Sequence, residues 1–184
     1  KMRFFYIDPS TTEISTLSLR TALPISSPRF DREGRCQRIN QLTAAADQVI
    51  FIQHVGPGLE VNSEGWQIVP ELDQPANAIF VNKTACDSFW QTDLAAQLDQ
   101  HGIESFVVCG CATDYCVDTT IKVGASLGYH ITVAADAHTT ADRTYVSAQQ
   151  QINQHNEIWA DLIMPGNPVM VRDTEEVLRQ WRPH

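Results

Sequence analysis

Phe106-Val-Val-Cys-Gly-Cys-Ala-Thr-Asp-Tyr-Cys116-Val-Asp-Thr-Thr120 carries the decision about the fold. Phe106 to Cys109 is a run of β-branched and apolar residues suited to a buried strand. Gly110 permits a tight turn, and a helix is predicted to start near Thr113. Cys116 then falls in the first turn of that helix. There, unpaired backbone N–H groups and the positive end of the helix dipole favour a thiolate over a thiol. A nucleophile presented where a parallel strand turns into a helix sits where open α/β sheets place their chemistry. Cys116 is therefore the candidate nucleophile.

The pattern on either side repeats the same alternation. Arg35 to Asp47 reads as a helix with Ile39, Leu42 and Ala46 on one side, followed by a buried strand, Val49 to His54. Ala78 to Asn82 is the next strand. Lys83 to Trp90 is a loop, and a helix runs from about Thr92 to His101, stopped by Gly102. The helix after Cys116 carries Val117, Thr120, Ile121, Gly124 and Leu127 at helical spacing and stops at Gly128. Tyr129 to Ala135 is a strand ending at Asp136-Ala-His138, and Thr144 to Leu162 is predicted as the longest helix. Pro168 to Val171 forms a last short strand and Thr174 to Trp181 a closing helix. Strands alternating with helices predict a three-layer α/β/α domain with a mostly parallel, Rossmann-like sheet. With no internal repeat or linker, the 184 residues read as one domain.

The bulk properties narrow the class. A formal net charge of −9 argues against nucleic acid and anionic membranes as partners. No apolar run approaches the roughly 20 residues of a membrane span, and no secretory signal is recognisable. The five cysteines, three of them at Cys109, Cys111 and Cys116, suit free thiols in a reducing, cytoplasmic setting better than a disulfide framework. A zinc site on those three is disfavoured, because Cys109 lies in a buried strand and no second cysteine pair follows.

A cysteine hydrolase also needs a group that moves a proton and donors for the developing oxyanion. Lys83, following a strand, can bring an ammonium to the same sheet edge, lowering the thiol pKa and orienting a carboxylate. Asp8, ending the predicted strand Arg3 to Asp8, would follow in the same way as proton acceptor. The backbone N–H groups of Ala112 and Cys116 are the natural oxyanion donors. Trp66, Phe89, Trp90 and His138 are the candidate substrate-binding residues. Each has a plainer reading: a core thiol, a solvated lysine, a turn-opening Asp before Pro9, aromatics and a histidine that serve the core.

These residues resemble the isochorismatase-like cysteine hydrolases, which include nicotinamidases, N-carbamoylsarcosine amidase and related amidases. The matching text is Phe51-Ile-Gln-His54, Gly65-Trp66 with Pro70-Glu-Leu72, Lys83 to Phe89 with Thr92-Asp-Leu94, Val107 to Thr120, Leu127-Gly-Tyr129 and Asp136 to Asp142. The resemblance implies catalytic roles for Cys116 and Lys83, an oxyanion hole at Ala112 and Cys116, and a cis peptide before Ala112. It also implies a homo-oligomer, no cofactor and a small-molecule substrate, a C–N bond of a small amide or carbamoyl compound being cleaved through a thioester. The alternative is a non-catalytic member acting as a binding or assembly protein. The front of the chain departs from the family: Asp8 is followed by Pro9-Ser10, and the loop to Pro28 is about ten residues longer than the family's. Either Asp8 is the triad aspartate before an inserted loop, or residues 1–26 replace the family's first strand. His54-Val-Gly-Pro-Gly-Leu offers one candidate metal ligand where the nicotinamidases have several, so no metal is expected.

Overall fold

The computed structural model describes the backbone of Phe4–Asp8 and all of residues 29–181. The predicted loop from Pro9 to Pro28 lies outside the described residues. Eleven regular elements alternate along the described chain: β1 (Phe4–Asp8), α1 (Arg32–Ala45), β2 (Gln48–His54), β3 (Ile79–Lys83), α2 (Leu94–Gln100), β4 (Ser105–Cys111), α3 (Asp118–Ser126), β5 (His130–Thr139), α4 (Ala148–Ala160), β6 (Met170–Arg172) and α5 (Thr174–Trp181). The strands form one sheet in the order β3-β2-β1-β4-β5-β6, with every pairing parallel.

The period-2 side-chain alternation of the strands divides the core in two. Ile50, Ile52, Phe106 and Val108 point to one face, where they meet Leu94 and Leu98 of α2, Ile121 and Ala125 of α3 and Trp159 of α4. Val49, Phe51, Val107 and Cys109 point to the other, against Cys36, Ile39 and Leu42 of α1 and Val177 of α5. A sheet apolar on both faces must be covered on both, which gives the three layers. Each fully buried aliphatic side chain contributes about 1.5–3 kcal/mol to that assembly.

The strand order reverses between β1 and β4. From β1 the chain moves outward through β2 and β3, then returns to β4 on the opposite flank and continues through β5 and β6. The carboxyl ends of β1 and β4 therefore lie side by side at the point where open α/β sheets place their ligand sites. Asp8, the last residue of β1, pairs with Gly110 near the end of β4. Gly110 has φ of 110°, a left-handed conformation that a side chain disfavours, and the β4–β5 register shifts between Val108 and Gly110.

Several predicted boundaries move. β5 extends to Thr139 instead of stopping at Ala135, because beyond the irregularity Gly110 pairs with His138 and Cys111 with Thr139. α4 starts at Ala148 rather than Thr144. Ser147 caps it, accepting from the Gln150 amide while the Gln150 side chain accepts from the Ser147 amide. At 13 residues α4 is shorter than α1, at 14, so the predicted longest helix is not the longest. Among the described residues no helix is long and apolar enough to cross a membrane.

Candidate active site

The turn after β4 carries the site. The Cys111–Ala112 peptide is cis, as the resemblance implies. Thr113–Val117 then forms one wide helical turn, in which the Val117 amide donates to the Ala112 carbonyl at 3.2 Å, before α3 takes up ordinary helical geometry. Cys116 lies inside this wide turn, 1 % exposed, where the sequence had predicted the start of an α-helix. Ala112 and Thr113 are buried beside it.

Two polar clamps hold the turn. On one side, His138 of β5 is fully buried, with Nδ1 2.8 Å from the Thr113 hydroxyl and Nε2 2.9 Å from Asn156 Oδ1. Asn156 Nδ2 donates to the Ala135 carbonyl, which leaves Oδ1 as acceptor; His138 Nε2–H is therefore the donor and Nδ1 accepts from Thr113. Burial holds the His138 pKa down at about 3, and the nearby Arg35 charge acts in the same direction against the Asn156 hydrogen bond. The ring is a neutral strut, edge-on to Trp159 with centroids 5.0 Å apart.

On the other side, the Asp114 carboxylate accepts two bonds from the Arg143 guanidinium, Nε to Oδ2 at 2.8 Å and Nη2 to Oδ1 at 3.1 Å. The Thr140 hydroxyl adds a bond at 2.6 Å and Gln151 Nε2 one at 3.2 Å. Burial would raise the Asp114 pKa, but the Arg143 and Thr140 bonds outweigh it and hold the carboxyl below its ordinary range. Arg143 also lies over the Tyr115 ring, 4.9 Å from its centroid.

Lys83 is the last residue of β3, paired with His54 at the end of β2. Its side chain is 1 % exposed, and Nζ donates to the Cys86 carbonyl at 3.3 Å. A lysine this buried is rare unless it has partners, so the plain reading of a solvated side chain is excluded by the fold. The backbone of Asp8 stands at the end of β1, between β2 and β4 in the sheet; its side chain lies outside the described residues.

The aromatic candidates disperse. Trp66, on a short helical turn, donates its indole N–H to Asn82 Oδ1 at 3.0 Å, one residue before Lys83, and its carbonyl accepts from Gln53 Nε2 at 2.9 Å. Trp90 is exposed. Phe89 stacks on Tyr129 and lies against Gly124, while Phe106 packs on the same Tyr129. Phe106 and Tyr129 are at the amino ends of β4 and β5, so Phe89 belongs to the core at the opposite end of the sheet from Cys116. His138, with both ring nitrogens engaged and no exposure, braces the turn and has no polar atom left for a ligand. Asp114, Thr140, Arg143 and Asn156 were not singled out in the sequence. Asp114 lies inside the deciding stretch, but nothing in the spacing reveals that a guanidinium 29 residues later would close on it.

The other thiols differ from Cys116 in setting. Burial pushes Cys109 well above the ordinary thiol range, and burial with the Glu71 charge raises Cys36. None of the five cysteines is joined in a disulfide. Among the described residues no three His, Cys, Asp or Glu side chains converge as a metal site would require.

Residues 28–163 match the family model described as the isochorismatase domain. The chain is 26 % identical over 193 residues to the uncharacterized isochorismatase family protein YecD of Escherichia coli O157:H7, covering 94 % of this chain and 97 % of YecD. It is 32 % identical over 191 residues to the ureidoacrylate amidohydrolase RutB of Caulobacter segnis, covering 80 % of each. Among solved structures, a putative isochorismatase hydrolase from Oleispira antarctica superposes with a TM-score of 0.80 at 23 % identity, covering 97 % of this chain and 96 % of that one. That likeness is one of fold.

Proposed function

Because the chain belongs to the isochorismatase family of hydrolases, we propose that it cleaves a C–N bond of a small amide or carbamoyl compound through a thioester on Cys116. The observation that carries this reading is the placement of a buried thiol on the turn at the carboxyl end of β4, beside the strand-order reversal, with the Lys83 ammonium buried at the carboxyl end of β3. That RutB, a relative along four-fifths of the chain, is an amidohydrolase supports amide chemistry over other hydrolysis.

Asp8 accepts the Cys116 thiol proton, and the thiolate attacks the substrate carbonyl carbon. The carbonyl oxygen gathers the charge and is held by the N–H groups of Ala112 and Cys116. Collapse of the tetrahedral adduct breaks the C–N bond, and the proton held by Asp8 passes to the departing nitrogen, releasing ammonia or an amine. Water, deprotonated by the same carboxylate, then attacks the thioester; the C–S bond breaks, the acyl group leaves as the acid, and the Cys116 thiolate takes the proton back from Asp8. Lys83 holds the carboxylate and thiolate by its charge, which a dry site screens little.

Ammonia release from a panel of small primary amides and carbamoyl compounds tests this. Cys116→Ala is expected to abolish turnover while the protein keeps its thermal midpoint. Hydrolysis continuing in that variant at the wild-type rate would remove the mechanism.

A further inference from the structure

Thr120 and Ser88 are hydroxyl residues with no exposed surface, and Thr120 stands on the helical segment that sends Val117 and Ile121 into the apolar core. Polar groups persist in such surroundings when they bond each other, and these do so in an unusual pattern. The Thr120 hydroxyl oxygen lies 2.8 Å from the Ser88 hydroxyl and accepts from the Ser88 amide at 3.3 Å. Its own proton has two acceptors in reach, the Ser88 hydroxyl and the Cys86 carbonyl, the latter at 3.5 Å. When the Ser88 hydroxyl is the donor in the 2.8 Å pair, the Thr120 proton is left for the Cys86 carbonyl.

The Cys86 carbonyl is also the acceptor of the Lys83 ammonium. Thr120 stands one helical turn beyond Cys116, so both lie on the same face of the helical segment leaving β4. The hydroxyl thus ties the loop that carries the Lys83 acceptor to the segment that carries the nucleophile, across strands that do not neighbour each other in the sheet.

We propose that Thr120 is a positioning residue, setting through the Cys86 carbonyl where the Lys83 ammonium stands relative to Cys116. The proposal rests on the cysteine-hydrolase reading above. A cation acts on a thiol through distance, so loosening this tie weakens the hold on the thiolate without removing a charge. The other charged groups around the turn are paired independently: Asp114 with Arg143, and Asp118 with Lys122 and the Trp159 indole.

The test is the pH dependence of Cys116 alkylation by iodoacetamide, read by peptide mass, which needs no substrate. Cys86, the least buried of the other cysteines, is the internal reference. Thr120→Val keeps the shape and removes the hydroxyl. It is expected to slow Cys116 labelling at neutral pH by about tenfold and to raise the labelling midpoint by roughly one pH unit, while Thr120→Ser restores both. A purely structural role would lower the thermal midpoint of Thr120→Val and leave its labelling profile as in wild type, and that result overturns the proposal. If Thr120→Val does not fold, Ser88→Ala removes the bond that orients the Thr120 hydroxyl; a smaller shift in the same direction is expected, and a wild-type profile there overturns the proposal equally. Wild-type Cys116 reacting no faster than Cys86 would overturn the nucleophile assignment and Thr120's part with it. Selective wild-type labelling that Thr120→Val leaves unchanged overturns Thr120's part alone.

Discussion

Replacing Arg143 by Met keeps an unbranched, uncharged stem, shorter than the arginine, and deletes two charge-assisted bonds to Asp114. The carboxylate side chain is 12 % exposed and the guanidinium 25 %, so the pair is largely but not wholly shielded. Removing one partner of a fully buried ion pair costs about 3–5 kcal/mol. Here the Thr140 and Gln151 donors remain and water reaches the rim, which brings the expected loss down to about 2 kcal/mol. For a chain of this size that lowers the thermal midpoint by roughly 4–8 °C. The sign of the pH dependence follows from the depressed Asp114 pKa. A carboxyl held below its unfolded value contributes stability above that value, and the contribution is lost as pH falls through the folded pKa. The gap between wild type and Arg143→Met, measured by circular-dichroism melting, is therefore full at pH 7 and closes below about pH 4. Adding Asp114→Asn to the variant removes the stranded charge and is expected to recover part of the loss at pH 7. A midpoint within about 1 °C of wild type, or a gap undiminished at pH 3, would refute the reasoning.

Two further outcomes follow from the same packing. His138 is neutral in the fold down to about pH 3 but binds a proton near pH 6.5 when unfolded, so the unfolded state gains protons first on acidification. Stability is expected to fall by roughly 1.4 kcal/mol per pH unit between about pH 6.5 and 4, and His138→Gln, titrated with urea across that range, should flatten the slope. A Cβ on Gly124 would lie 2.9 Å from Ile131 Cδ1 and 3.3 Å from the Phe89 ring. The flexible Ile131 tip can yield to Gly124→Ala, whose helix propensity offsets the crowding to within about 1 kcal/mol. Gly124→Leu drives into the Phe89 and Phe106 rings and should lose about 2–3 kcal/mol in chemical denaturation; equal stability of the two variants would contradict this packing.

The site was legible where its parts are contiguous. Gly110, Cys111, Ala112 and Cys116 lie within one strand–turn–helix, and local sequence holds nearly all the information needed to build it. Lys83 could be placed at a sheet edge because it ends an apolar run, but not shown to be buried. That depends on how the following loop folds back, which puts the Cys86 carbonyl within reach of the Lys83 ammonium. The proposed aromatic pocket failed to assemble for the same reason in reverse. Phe89 follows Lys83 closely in sequence, yet the loop runs down to the amino ends of β4 and β5, and the ring is taken up by Tyr129 and Gly124.

Alternating buried strands and helices thus fixed a parallel three-layer sheet from sequence alone, since a strand apolar on both faces has no other stable surroundings. The same alternation could not tell which strands would be neighbours, and only the tertiary structure brought β1 beside β4 at the reversal of strand order. It alone decided that Asp114 meets Arg143, that His138 braces Thr113, and that Thr120 reaches the carbonyl beside Lys83. Such pairings are formed between side chains far apart in the chain, and they leave no periodic trace because each depends on the packing of whole layers rather than on its own neighbours.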